Sequence, residues 1–295
     1  MGSSCEGRVA IVTGASRGMG KAIAIRLAAE GASVCVTGRP ADPGGARLAG
    51  SLDETVAAIE GVGGRATAIA ADLSDPSFDR RRIPAHAEDV FGSAVDILVN
   101  NAAAPRTFHI GFEAMTHEVF AETVEVNVWA AWELGQLVVP GMRAKGGGWI
   151  VNISSRSAGP KVGPPYVATQ VGAQVLYGSS KAMLDRLTTG AAMELHDDRI
   201  AVNALAPESA VLTENAARLV ALPESAIEPV EAFAEATLAL CTGDPASLTG
   251  RVAYSLSLLV ELGRPVRTLD GRSLLAGWQP GEIDPARLRP PYLQT

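Results

Sequence analysis

The chain has 295 residues, of which 47% are hydrophobic and 19% charged, with a net charge of -7. Such a chain can bury a sizeable core in one large α/β domain or two small ones. The acidic balance excludes a nucleic-acid surface, which needs a concentrated basic stripe, and Arg80, Arg81 and Arg82 form only a short basic run. Cys5, Cys35 and Cys241 are scattered without a CxxC or CxxH pattern, so free thiols in a reducing compartment and no metal site are expected. The N-terminus lacks a signal peptide's basic, apolar and cleavage regions, and no apolar run approaches the ~18 residues of a membrane span. A soluble, cytoplasmic protein is expected.

Residues 8–13 (RVAIVT) form a short β-branched run suited to a strand buried on both faces. Gly14-Ala15-Ser16-Arg17-Gly18-Met19-Gly20 follows, and then a good helix former ending at Gly31. Strand, glycine-rich turn and helix is the context in which glycines let backbone approach a phosphate at a helix N-terminus. Residues 32–37 read as the second strand. Where an acid would bind the ribose of NAD, the sequence has Thr37-Gly38-Arg39. Arg39 and Arg17 can together clamp a 2′-phosphate, which favours NADP(H) over NAD(H). In the alternative, Arg39 is solvated and Asp42 takes the ribose hydroxyls.

Residues 40–50 look like a loop. Ser51 and Glu54 then form a capping box that opens a helix to about Glu60. A third strand at 65–71 leads to Asp72-Leu73, a helix spans about 77–92, and a fourth strand at 95–99 ends in Asn100-Asn101-Ala102-Ala103. Residues 112–145 are largely helical and enclose Asn127 among apolar neighbours, where its amide must be satisfied. The fifth strand, 149–153, ends in Asn152-Ile153-Ser154-Ser155, hydroxyls at the carboxyl end of a parallel strand, where open α/β sheets place ligands.

Tyr177 and Lys181 stand four residues apart, so a helix puts both on one face, where an ammonium beside a phenol favours the phenolate. Tyr166 competes for the same role, but the residue four further on is Gln170, which has no charge. Leu184, Leu187, Ala191 and Leu195 continue one apolar helix face. A sixth strand at 199–205 precedes Ala206-Pro207-Glu208. Residues 213–242 read as a helix broken by Pro223 and Pro229, and a last strand begins near 248–252. From 277 a proline-rich tail is expected to pack on a neighbouring subunit, close the site or stay disordered.

In order, Thr13-Gly14…Gly18…Gly20, Asn101-Ala102, the helical Asn127, Asn152-Ile153-Ser154-Ser155 and Tyr177…Lys181 resemble the short-chain dehydrogenase/reductase family over about residues 8–252. The resemblance implies an α/β fold with a single Rossmann-type doubly wound parallel β-sheet flanked by helices, here with an atypical C-terminal extension. It implies one domain with a core at about 8–257, a lid at about 208–242 and a tail at about 258–295. Carried over position by position, cofactor binding falls to Gly14, Ser16, Arg17, Gly18, Met19, Gly20, Arg39, Asp72, Leu73, Asn101, Ala102, Tyr177, Lys181 and Pro207, with Asp72 on the adenine amino group. Tyr177 would move the proton, Ser155, with Ser154 as fallback, would bind the substrate oxygen, and Lys181 would lower the phenol pKa and bind the nicotinamide ribose. Asn127 would hold a relay water.

The implied activity is NADP(H)-dependent interconversion of a ketone or aldehyde and an alcohol, on a small and hydrophobic substrate, by a homodimer or homotetramer without nucleic-acid or membrane partners. Epimerisation or dehydration on the same fold, and a non-catalytic NADP-binding regulator, are the rival readings. Ala103 and Glu208 stand where the family has glycine, Thr213 falls one residue late, and the extra piece at about 163–175 lies between Ser155 and Tyr177.

Overall fold

Val9–Thr13 forms β1, with all five residues buried, because alternate side chains of a strand serve opposite faces and both faces are covered here. Ala10 and Val12 enter one apolar cluster, with Ile23, Leu27 and Phe233; Val9 and Ile11 enter the other, with Ile83, Leu134 and Met142. The computed structural model describes residues 3–39, 50–104, 107, 110–166, 174–211 and 227–289.

Around β1 lie β2 (Ser33–Gly38), β3 (Arg65–Ala70), β4 (Ile97–Asn100), β5 (Gly148–Ile153) and β6 (Ile200–Ala206). The short strands β7 (Ala210–Val211) and β8 (Ile227–Glu228) pair apart from the main sheet, and β9 (Val252–Tyr254) closes its far edge. The main sheet has seven strands in the order β3-β2-β1-β4-β5-β6-β9, parallel throughout. This is the doubly wound α/β architecture. The helices are α1 (Gly18–Ala29), α2 (Leu52–Gly61), α3 (Arg82–Phe91), α4 (His117–Val124), α5 (Ala130–Lys145), α6 (Val175–Glu194), α7 (Val230–Thr242) and α8 (Ser255–Glu261). Strand order reverses between β1 and β4, so ligands are expected beyond the carboxyl ends of those strands. Among the described residues, no helix is long and apolar enough to cross a membrane.

Three elements differ from expectation. The helix expected from about residue 77 begins at Arg82, because Asp72 and Asp75 accept from the N–H and hydroxyl of Ser74 and Ser77 and hold turns there. The long helix of 112–145 is broken into a 3₁₀ turn, α4, a π turn at Glu125–Trp129 and α5. The proline-rich tail folds back on its own chain as far as it is described. Val266 and Ile283 are buried, Leu275 and Trp278 pack on the same cluster, and Gln279 Nε2 donates to the carbonyls of Val266 (2.8 Å) and Leu275 (2.7 Å).

Candidate active site

The glycine loop joins β1 to α1 directly. Gly14 has φ +64°, and a Cβ there would lie 2.9 Å from the Ala102 Cα, so only glycine lets the turn pass the end of β4. The two segments are stitched together. Thr13 Oγ1 accepts from the N–H groups of Asn101 and Ala102 (3.0 Å each), and Asn101 Nδ2 donates to the carbonyls of Thr13 (2.9 Å) and Gly14 (3.1 Å). Asn101 and Ala102 therefore shape the loop. Gly18, Met19 and Gly20 form the first turn of α1, and its N-cap, Arg17, makes no side-chain cap hydrogen bond. The turn's N–H groups remain available to an anion.

Arg17 is half-buried, and its pKa is lowered by burial and then by the nearby guanidinium of Arg39. Two cations held together ask for a multiply charged anion. Ser16 lies against Gly50 at this corner, while Asp42 lies outside the described residues. One oxygen of Asp72 is committed to Ser74, and the Leu73 side chain is buried in the core while its carbonyl accepts from Arg80 Nη2 at 2.8 Å.

Asn127 sits in the π turn, a single wide turn of the kind found at functional sites. Its Oδ1 accepts from Ala104 N (2.8 Å) and its Nδ2 donates to Ser180 Oγ (2.9 Å), which itself donates to Tyr177 O. The amide is engaged at both ends in tying the segment after β4 to α6. Asn100 and Asn152 tie β4 to β5 by a 2.9 Å bond, and Asn152 continues to Thr188 on α6.

Ser155 caps a short 3₁₀ turn at Arg156–Ala158, accepting from Ser157 N (3.2 Å) and Ser157 Oγ (2.9 Å). Against this turn packs α6, and Gly178 permits the contact: a Cβ there would lie 2.4 Å from Ser157 O. That approach brings Tyr177 to Ser155, with which it shares a hydrogen bond. Tyr177 is 7% exposed and Tyr166 70%, so Tyr166 stands outside this arrangement. Residues 167–173 of the extra piece lie outside those described, as does Thr213. Ser154 Oγ is buried and lacks a hydrogen bond of ordinary length, although it is near enough to Asp185 to lower that carboxyl.

The electrostatics depart from the simple spacing argument. Burial pushes Tyr177 up to about 12, partly offset by Ser155. Lys181, 2% exposed, donates to Ile153 O at 2.7 Å, and its Nζ stands 5.9 Å from the Tyr177 ring centre. Its pKa falls to about 8 through burial, with Asp185 opposing the fall. Dehydration outweighs the expected phenolate stabilisation here, because both groups are enclosed. Asp185 itself is raised to about 6 by burial.

Sequence reasoning missed Asp185, whose signal was its place four residues past Lys181 on the same helix face. It marked Glu208 only as a departure from the family's glycine, and it missed Glu228. Glu208 follows Pro207 at the end of β6, and its carboxylate accepts from Leu256 N (2.6 Å), Ser257 N (3.1 Å), Arg289 N (3.0 Å) and the Ser257 hydroxyl. Glu228 accepts from the N–H groups of Glu208 and Ser209 (3.1 Å each) and from Ser255 Oγ (2.6 Å). Where a glycine was expected, the corner after β6 is thus built on two buried carboxylates. Among the described residues, no cluster of three or more His, Cys, Asp or Glu side chains is placed to hold a metal.

A family model for short chain dehydrogenases matches residues 8–221. Dehydrogenase/reductase SDR family member 4 of Sus scrofa is 37% identical over 205 residues, covering 68% of this chain and 65% of the pig protein, just under two thirds of its length. A solved 7α-hydroxysteroid dehydrogenase, complexed with NADH and 7-oxo glycochenodeoxycholic acid, superposes with TM-score 0.70 at 32% identity, covering 85% of this chain and 93% of that one. A structure described as an NAD(P)-dependent gluconate 5-dehydrogenase of Beutenbergia cavernae, with NADP at low occupancy, gives TM-score 0.71 at 29% identity, covering 86% and 97%. Sequence match and superposition agree along most of the chain, and the protein is an oxidoreductase of the short-chain dehydrogenase/reductase family.

Proposed function

We propose that this protein is an NADP(H)-dependent oxidoreductase of the carbonyl reductase or alcohol dehydrogenase type, with one catalytic domain over the chain. The observation that carries the reading is the hydrogen-bonded pair of Ser155 and Tyr177 over the buried Lys181. The uncapped first turn of α1, with Gly14 pressed against Ala102, fits a dinucleotide phosphate, and the adjacent Arg17 and Arg39 fit a 2′-phosphate. Asp72 and Leu73 follow β3 and Pro207 follows β6, at the carboxyl ends of the sheet where the same cofactor would lie. When bound, the nicotinamide supplies or accepts the hydride.

The chain's own residues manage the oxygen and the proton. Ser155 holds the substrate oxygen by hydrogen bonding, and the Tyr177 phenol, protonated at neutral pH, donates to the oxygen as negative charge grows there. A phenol held near 12 is a donor at rest, which suits reduction; alcohol oxidation needs a nearby positive charge to lower it. Lys181 keeps an ammonium under the site. Asn127, its amide engaged once at each end, can hold a relay water through backbone groups of the π turn or its remaining amide hydrogen. An apolar groove of about 270 Å³ between α5 and α6, lined by Leu184, Leu187, Ala191 and Leu195, supports assembly of copies into a homodimer or homotetramer.

Tyr177→Phe is expected to lower NADPH-dependent carbonyl reduction at least 10³-fold, of the order assigned to general acid catalysis, while NADPH still quenches protein fluorescence on binding. Full activity in that variant, with Tyr166→Phe inactive, sinks the assignment. Arg39→Ala together with Arg17→Ala should raise KM for NADPH tenfold or more, a phosphate pairing worth about 1.4 kcal/mol or more, and leave NADH little affected. A wild-type kcat/KM with NADH equal to that with NADPH removes the cofactor preference.

A further inference from the structure

The corner built on Glu208 gathers positive charge that the catalytic groups do not use. Arg156 directly follows Ser155, and its Nη1 donates to the Glu208 carbonyl at 2.9 Å. From the other side the C-terminal tail arrives: Arg289 N donates to the Glu208 carboxylate at 3.0 Å and to Ser257 Oγ at 3.1 Å. Both arginines therefore hang on one buried residue. Both residues are exposed, and the Arg156 guanidinium is held below its usual pKa by partial burial and then by the nearby charge of Arg289.

The nearest carboxylates, Glu208 and Glu228, favour a charged Arg156 from a distance but hydrogen-bond elsewhere. The Glu208 carboxylate is occupied by two backbone N–H groups of the first turn of α8, the Ser257 hydroxyl and Arg289 N. Glu228 is occupied by Glu208 N, Ser209 N and Ser255. Among the described residues, neither guanidinium stands within ion-pair distance of a carboxylate, and the Arg289 guanidinium makes no hydrogen bond. A guanidinium presents planar, paired donors that match a carboxylate or phosphate, and two of them beside each other are stabilised by an oxyanion between them.

We infer that Arg156 and Arg289 form an oxyanion-binding subsite beside Ser155, and that the carbonyl substrate carries a carboxylate or phosphate which this pair holds. The C-terminal tail is then part of the substrate site. Its anchoring on Glu208 explains why a buried acid replaces the expected glycine: the acid fastens the tail that brings Arg289 in. The apolar substrate body expected from the sequence keeps its place, with a charged end added. The inference rests on the proposed carbonyl chemistry only for the word substrate; the anion subsite itself can be tested without turnover.

With NADPH saturating, so that the cofactor's own phosphates are in place, thermal unfolding is followed with benzoate and with phenyl phosphate. Either anion should raise Tm in the wild type, in proportion to its occupancy, and the rise should vanish in Arg156→Gln and Arg289→Gln. The anion that acts tells carboxylate from phosphate. No shift in the wild type, or an equal shift in both variants, overturns the subsite. In parallel, kcat/KM is measured for 4-acetylbenzoate, 4-acetylphenyl phosphate and methyl 4-acetylbenzoate. One of the anions should exceed the ester, and Arg289→Gln should cut that ratio at least tenfold. Equal use of all three, with a ratio unmoved by Arg289→Gln, defeats the inference while carbonyl reduction stands. Anion binding lost in the variants, with none of the three reduced, supports the subsite and counts against the proposed carbonyl chemistry.

Discussion

A fully enclosed ammonium is unstable without a negative group nearby, and in this chain Asp185 is placed to supply one. Lys181 donates to Ile153 O, a neutral partner, while burial brings its pKa down to about 8. The carboxyl of Asp185, one helical turn further on, holds the value up from there. Its Oδ1 is buried without a hydrogen-bond partner, and besides Lys181 it is Ser154 that favours its charged form. Asp185→Asn should therefore let Lys181 lose its proton at lower pH. The alkaline limb of the kcat/KM profile for carbonyl reduction is expected to move down by about one pH unit, equivalent to ~1.4 kcal/mol. A profile that drops equally at all pH values, with its limb unmoved, would mark Asp185 as merely structural. The spacing of Tyr177 and Lys181 was legible in the sequence because helix geometry fixes which residues share a face. Their enclosure was not, since burial depends on what β5 and the 3₁₀ turn bring over them.

At the scale of elements, the first six strands could be read to within about two residues and the glycine loop in place, whereas β9 begins only at Val252 and β7 and β8 were not read. Buried parallel strands are continuous apolar runs bounded by turn residues, as residues 9–13 and 97–100 are. Helix boundaries were read less well where side chains compete with the helix for backbone groups, as at Asp72 and Asp75. Asn127 was legible as a buried amide that must be satisfied, but the π turn and the way its amide spans from Ala104 to Ser180 needed the assembled neighbours. Gly178 carries no signal in the sequence for its role, which is the close approach to the Ser157 carbonyl it faces. The tail was the least legible element. Its prolines argued for an extended end, whereas its apolar residues find the cluster around α7 and α8, and its polar backbone finds Glu208. Such long-range anchoring leaves no periodic trace.

For the molecule as a whole, the buried carboxylates set how stability varies with pH. Glu228 is fully buried beneath the corner after β6, and burial, with Glu208 close by, raises it from 4.5 to about 7. The folded state therefore holds a proton on Glu228 that the unfolded chain releases between pH 4.5 and 7. The stability this proton confers is complete below pH 4.5 and is lost as pH rises through the folded pKa near 7. At 1.36 kcal/mol per unit the whole loss is about 3.4 kcal/mol, of which roughly 2–3 kcal/mol falls between pH 5 and 7.5. Glu228→Gln mimics the protonated acid: its amide oxygen can keep the N–H groups of Glu208 and Ser209, and Ser255 can turn to accept from its nitrogen. The variant should match the wild type at pH 5 and exceed it at pH 7.5 by roughly that 2–3 kcal/mol, measured by urea unfolding at the two pH values. Asp185, raised to about 6, adds a slope of the same sign at lower pH, but it is common to both proteins and cancels in the difference. If the two stability curves run parallel from pH 5 to 7.5, Glu228 is ionised throughout that range, and the corner after β6 holds two negative charges rather than one.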